Sequence, residues 1–347
     1  MTSAGWHAGI IAFVCVLASA PVVGAICSRW NLFDRPGPLK IHAHPIPRLG
    51  GVAIAIGIVV ATTIEAHANR EMLLWLAAYG IIWLSGFVDD IRGLPPLARL
   101  AAQLSSGLVL WLGGWRLPLA VPAWASLALI CGVIVLFVNA FNFLDGSDGL
   151  AAGATAIIAA AYIALAYIGA GPPRAETLGL IVAWALFGTC TGFLSRNLPP
   201  ARLFMGDAGS VGLGFCVAFL GIELLSRASG QPNGMRWLFP LLVATVPILD
   251  GIVVVLRRVK QGRSAFQGDR FHYYDLLMAR GWCARTVALG TYAVTALLAG
   301  TGLAVMRGGA TAVLIFVALC AAGIFLASVG RTAGESPRPR ASQQVEN

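Results

Sequence analysis

The chain carries little charge. Asp, Glu, Lys and Arg make up 11% of its 347 residues, against about 25% in a soluble domain, and 58% of the residues are hydrophobic. That deficit excludes an ordinary soluble globular protein. The apolar runs show no alternation of polar with apolar residues, which argues against a β-barrel. No CxxC pair occurs. Cys15, Cys27, Cys131, Cys190, Cys216, Cys283 and Cys320 read as small core residues, not as zinc ligands or a disulfide frame. No Lys or Arg precedes the first apolar run, Gly9 to Cys27, whereas Arg29 follows it. A secretory signal carries its positive charge in front, so the run reads as an uncleaved anchor with the N-terminus outside. There is no clear internal repeat and no inserted soluble domain, which counts against transporters built on inverted repeats.

What the chain does have is a succession of apolar stretches, each of roughly the 17–25 residues that cross a bilayer. Eleven spans are expected, at 9–28, 49–66, 71–88, 98–113, 122–140, 149–169, 177–194, 209–226, 237–256, 286–305 and 311–329. The fifth is short for its apolar run and is expected to be tilted or broken. The predicted fold is an all-α polytopic membrane protein with ten or eleven transmembrane helices in one domain over residues 1–330. The polar segment 331–347, with Pro337 and Pro339, reads as a disordered cytoplasmic tail.

The net charge of +9 could suggest nucleic acid, but its distribution does not. Of 24 Lys and Arg, only Arg70, Arg116, Arg174, Arg227, Arg236 and Arg307 fall in predicted outside segments. This is the positive-inside bias of a membrane protein. The aspartates are still more one-sided. Asp34, Asp89, Asp90, Asp145, Asp148, Asp207, Asp250, Asp269 and Asp275 all fall in inside loops or on the inner half of a span, whereas Glu65, Glu71, Glu176 and Glu223 lie on the outer side. Carboxylates contribute little to topology, so the segregation points to a cytoplasmic, cation-dependent active site.

Five polar motifs share that face. Asn139-Ala-Phe-Asn142-Phe-Leu-Asp145-Gly-Ser-Asp148 closes an apolar run with two carboxamides and two carboxylates. Acids cost about 2.5–3.5 kcal/mol at the bilayer centre, so such a cluster needs a use, and holding a hard cation and a polar substrate is one. Asp89-Asp90 closes the third span; adjacent carboxylates repel unless a cation sits between them or one is protonated. A solvated helix end is the bland alternative; the functional reading is a pair shared between a metal and a substrate phosphate. Phe204-Met-Gly206-Asp207-Ala-Gly209-Ser210 opens the eighth span, placing Asp207 near a helix N-terminus. The loop before it, Asn197-Leu-Pro199-Pro200-Ala201, is stiff and could present Asn197 to a base edge. Lys40, Arg48 and the backbone N–H groups near Gly50 suit phosphate binding, although plain positive-inside charge would also explain them. The longest and most basic inside loop contains Arg270-Phe-His272-Tyr273-Tyr274-Asp275, where Arg270 and His272 could stabilise developing charge.

In this order the motifs resemble the polyprenyl-phosphate N-acetylhexosamine-1-phosphate transferases, a family that includes phospho-MurNAc-pentapeptide translocase and the undecaprenyl-phosphate GlcNAc-1-phosphate transferases. The likeness runs from about Lys40 to Arg285 through PRLGG, GFVDD, NAFNFLDGSDGL, NLPPARLFMGDAGS and PILD with its basic run and His motif. It implies ten or eleven helices, a cytoplasmic site in a bacterial inner membrane, and dependence on Mg²⁺, with Mn²⁺ as a substitute. It also implies UDP-N-acetylhexosamine and undecaprenyl phosphate as substrates, and is compatible with a homodimer. By the same resemblance Asp89 and Asp90 are the acidic pair tied to the lipid phosphate and catalysis. Asp207 is a Mg²⁺ ligand, with Asp90 beside it. Asn142, Asp145 and Asp148 form the nucleotide-side cluster. Phe204 stacks on uracil, Asn197 binds the base, and His272 is the first His of the loop motif.

Two departures stand out. Ile91-Arg92-Gly93 replaces a segment in which the translocase branch has a lysine, and Tyr273, Tyr274 and Asp275 replace a His-rich run. Both favour the branch that starts surface-polysaccharide or glycan lipids over the peptidoglycan translocase. An ion-coupled transporter would want acids at the midplane. A CDP-alcohol phosphotransferase would want an Arg and further acids after Asp148-Gly149, which are missing here.

Overall fold

The computed structural model describes residues 5–35, 37, 44–168, 177–227, 234–264 and 270–307. Lys40, Asp269, Cys320, the expected eleventh span and the tail lie outside the described residues. The rest is helical: α1 (Trp6–Arg29), α2 (Gly50–Glu65), α3 (Arg70–Arg92), α4 (Pro96–Leu112), α5 (Ala123–Leu144), α6 (Leu150–Ile168), α7 (Leu178–Asn197), α8 (Gly206–Ser226), α9 (Gly234–Val243), α10 (Thr245–Lys260), α11 (Tyr273–Ala279) and α12 (Ala284–Met306). The described strands are β1 (Phe33–Asp34) and β2 (Ile46–Pro47), which pair antiparallel. Seven of these helices are long and apolar enough to cross a membrane, or eight if α9 and α10 make one span. The chain is an all-α polytopic membrane protein.

Local chemistry sets the helix ends. The Asn69 side chain accepts the Met72 N–H at 2.9 Å and starts α3. Gly93, with φ of 72°, ends it in a conformation that side chains resist. Pro96 at the first position of α4 needs no partner for a missing N–H.

One expectation about spans is corrected. The fifth, expected to be tilted or broken, is one continuous helix of 22 residues and so is not broken. The ninth, expected over 237–256, is broken into α9 and α10, bent by 71°. Pro247 lies in the first turn of α10, has no N–H to give, and crowds the carbonyl four residues earlier, at Val243 where α9 ends.

α8 is the hub. Within its most apolar window 89% of residues are buried, against 28% for α1. It packs against α2, α3, α5, α6, α7 and α9. Leu213, Phe215, Cys216, Val217 and Phe219 have no exposed surface, as expected of a helix apolar on all sides. Peripheral helices instead turn Ile10, Val14, Leu73, Leu84, Leu289 and Leu297 outward, a surface that suits lipid and not water.

Candidate active site

The polar motifs gather at the N-terminal end of α8, and small residues make the approach possible. A Cβ on Gly86 of α3 would lie 2.7 Å from the backbone of Ala208. Gly206 has φ of 66°, and a Cβ there would lie 2.6 Å from both carboxylate oxygens of Asp90. Glycine at these positions lets α3 bring Asp90 under the first turn of α8. The segment before α2 is tied to the same place. Phe204 N–H donates to Pro47 O, Gly50 N–H to Phe204 O and Gly51 N–H to Met205 O, at 2.7–2.8 Å.

Adjacent residues on a helix point about 100° apart, and the two acids of α3 do different work. Asp90 is buried. Its Oδ1 accepts the Asp207 N–H at 2.9 Å and its Oδ2 the Ala208 N–H at 3.0 Å, so it caps α8 from another helix. Asp89 turns toward α4. Its Oδ2 meets Arg99 Nε at 2.7 Å and its Oδ1 accepts from Arg99 Nη2 at 3.0 Å and from Leu94 N–H at 2.6 Å. This is the bidentate fork in which arginine binds a carboxylate most strongly. Arg99 Nη1 also lies 3.9 Å from Asp207 Oδ2.

Asp207 therefore sits at the junction. Asn142 Nδ2, from the last turn of α5, donates to Asp207 Oδ1 and to Ser210 Oγ, both at 3.0 Å. The carboxyls of Asp89 and Asp90 lie against that of Asp207. The guanidinium of Arg48 is within electrostatic reach of Asp90, and its Nε is buried with no hydrogen-bond partner among the described residues. The half-buried Phe204 is held beside this centre by its main chain.

A second cluster adjoins the end of α5. His272 precedes α11 and is buried; its Nδ1 lies 2.6 Å from Oδ2 of Asp250 on α10, and Asp250 Oδ1 accepts the Tyr273 N–H at 3.1 Å. The ring stacks on Tyr274, with centroids 5.2 Å apart and planes within 4°, and has Phe143 tilted against it at 5.6 Å. The Tyr274 hydroxyl donates to Phe143 O at 3.0 Å, which ties α11 to the residue after Asn142. Arg270 Nε lies 3.7 Å from Asp275 Oδ1. Burial raises the Asp275 carboxyl above the usual carboxylate range, while His272 and Arg270 act in the opposite direction. Asp145, at the end of α5, is half-buried near Tyr274.

Three of the expected site residues make hydrogen bonds within the protein. Asp90, expected beside the metal, has both oxygens on backbone N–H groups. Asn197, expected to present itself to a base, is 2% exposed; its Oδ1 accepts the Gly149 N–H at 3.1 Å and its Nδ2 donates to Leu203 O at 3.0 Å. Asp148 Oδ2 accepts the Ala201 N–H at 2.9 Å. Asn197 and Asp148 together staple the α5–α6 loop to the α7–α8 loop. Two residues outside the expected set, Arg99 and Asp250, hold central positions.

Carboxylates, a carboxamide and guanidinium groups gather at one end of an apolar helix bundle, a charged centre in a membrane protein whose chemistry suits phosphate groups. Residues 72–225 match glycosyl transferase family 4. The chain is 30% identical to a decaprenyl-phosphate N-acetylglucosaminephosphotransferase of Mycobacterium leprae (strain TN), over 82% of this chain and 79% of that protein. It is 29% identical to a probable undecaprenyl-phosphate N-acetylglucosaminyl 1-phosphate transferase of Bacillus subtilis (strain 168), over 82% and 80%. It is 27% identical to the undecaprenyl-phosphate alpha-N-acetylglucosaminyl 1-phosphate transferase of Escherichia coli (strain K12), over 80% and 77%. The chain belongs to glycosyl transferase family 4, among the polyprenyl-phosphate N-acetylhexosamine-1-phosphate transferases.

Proposed function

We propose that this enzyme transfers N-acetylhexosamine 1-phosphate from a UDP-sugar to undecaprenyl phosphate. UDP-N-acetylglucosamine is the first donor to test, because the relatives' names specify N-acetylglucosamine. An oxygen of the lipid phosphate attacks the sugar-proximal phosphorus, the bond to the bridging oxygen breaks, and UMP leaves with that oxygen. One phosphoanhydride replaces another, so catalysis rests on positioning and charge neutralisation. The observation that carries the reading is the convergence of Asp207, Asn142, Asp89 and Arg99 at the head of the most buried helix.

The site's chemistry fits Mg²⁺. Its donors are all oxygen, and Mg²⁺ in phosphate-handling sites takes one or two carboxylates plus substrate phosphates instead of a complete protein cage. Among the described residues no group of three His, Cys, Asp or Glu forms such a cage. Asp207 is the best ligand, since its carboxyl stands at the junction, against that of Asp89 and with Oδ2 3.9 Å from Arg99. When bound, the ion would neutralise charge on the diphosphate. Asp90 fixes the turn that carries Asp207. Asp89 holds Arg99, which favours a positioning role for Asp89 over a general base. Arg48, with its buried unpartnered Nε, suits a phosphate oxygen. Asp145 and Phe204 line the nucleotide side.

The eleven-span topology, the outside N-terminus, the cytoplasmic site and the bacterial inner membrane belong to the same proposal, as does a role in the first membrane step of surface-polysaccharide or glycan assembly. The deciding experiment gives purified protein undecaprenyl phosphate, Mg²⁺ and a panel of UDP-sugars. UMP release that requires the lipid and stops with EDTA is expected. No UMP from any donor, with folded protein, would overturn the reading.

A further inference from the structure

The buried carboxylate of Asp250 lies within an apolar helix, 1% exposed, and no step above uses it. An ionisable group inside an apolar span is costly and calls for a use. Its two oxygens have separate partners: Oδ2 meets His272 Nδ1 at 2.6 Å, and Oδ1 accepts the Tyr273 N–H at 3.1 Å. An ionised carboxylate only accepts, so the ionised form of Asp250 selects the ring with a proton on Nδ1, which donates to it. The stack on Tyr274 and the contact with Phe143 pack against the ring in this orientation. Nε2 is then the ring nitrogen not committed to Asp250. Tyr274 binds the carbonyl of Phe143, the residue after Asn142, so the ring is anchored to the same helix end as the acidic centre.

We propose that Asp250 is a positioning residue for the transferase reaction: it fixes the His272 ring and its Nδ1–H form so that Nε2 faces the phosphate groups of the substrates. The inference rests on the proposed function and adds one proton transfer to it: with Nδ1 protonated, Nε2 carries a lone pair, which accepts the remaining proton of a singly ionised lipid phosphate as its oxygen attacks. Asp250 touches no substrate. It acts through His272, as a buried carboxylate orients a catalytic imidazole in other enzymes.

Asp250→Asn separates this role from a merely structural one. The carboxamide oxygen can still accept the Tyr273 N–H, but its NH₂ group then faces Nδ1 and favours the opposite tautomer. Expected results are a fall in kcat of about 10²-fold, little change in KM for either substrate, and unchanged thermal inactivation. The double variant Asp250→Asn/His272→Gln should be no slower than His272→Gln alone, because both changes remove one device. Turnover of Asp250→Asn within about threefold of wild type, or a double variant whose loss is the product of the single losses, would overturn the proposal. A second measurement does not depend on turnover. Nitrogen-15 labelling of the five histidines, with His272→Gln to assign the signal, reports which ring nitrogen of His272 bears the proton. Protonated Nδ1 in wild type that is lost in Asp250→Asn supports the proposal; a proton on Nε2 alone in wild type overturns it. If wild type releases no UMP from any donor, the parent reading fails, while the tautomer signal still decides whether Asp250 sets the ring.

Discussion

Both ends of α8 bring charge into an apolar bundle, and they handle it in opposite ways. At the C-terminal end, Glu223 is buried and completely partnered: Trp115 Nε1 donates to Oε2 at 2.5 Å and Arg227 Nε, one turn on, to Oε1 at 3.2 Å. Arg227 is half exposed and reaches on to the exposed Glu71. The buried charge has its counter-ion on its own helix, and the excess charge is in water. At the N-terminal end, the carboxyls of Asp89 and Asp207 meet, Asp90 lies within electrostatic reach of both, and the guanidinium of Arg99 grips Asp89. Close like charges are unfavourable unless something positive joins them. The first arrangement is closed and complete by itself. The second leaves close negative charges that the proposed cation and phosphate substrates would balance.

The contrast sets the order of expected losses. Asp207→Asn removes the carboxylate at the junction while keeping an acceptor for Asn142. Turnover should fall by at least about 10³-fold, with unchanged thermal inactivation in detergent. Near-normal UMP release from the purified variant would sink the assignment of Asp207 to the cation. Arg99→Gln should come next, at about 10²-fold, because it frees Asp89 and removes the positive charge nearest Asp207. Arg99→Lys should recover only part of that, since an ammonium cannot reproduce the two-point fork. Full recovery with Lys would show that charge alone matters at this position.

The sequence makes one of these two ends easy to read. Apolar runs reveal the helices, and the clustering of every Asp on one predicted side reveals the acidic centre. Roles within the cluster are harder. Asp89 and Asp90 read as a pair because they are neighbours in sequence, yet the helix turns them to different partners. Asn197 reads as a base ligand because it is polar beside a stiff loop; only tertiary packing shows its amide occupied on both sides. Arg99 reads as one more inside charge. The signal for it was the Gly93-Leu94-Pro95-Pro96 turn between an acidic helix end and a basic first turn, which folds Arg99 back onto Asp89. Asp250 had a similar signal, a lone acid inside an apolar span, but its partner is 22 residues away and invisible to local pattern. The break in the ninth span follows from Pro247, whereas the run of apolar residues conceals it.

The smallest effect on activity belongs to the closed end, and it tests the comparison most directly. Glu223→Gln keeps one acceptor for Trp115 or Arg227 and discards the charge. Arg227 loses little, being half exposed and still paired with Glu71, so the cost is limited to one charge-assisted hydrogen bond, about 1.5–3 kcal/mol. The variant should inactivate faster on heating, yet release UMP within about twofold of wild type when assayed below its transition. A large fall in kcat with unchanged heat stability would mean that the two ends communicate along α8. The closed network would then belong to the working of the enzyme, and the division between a structural end and a reactive end would fail.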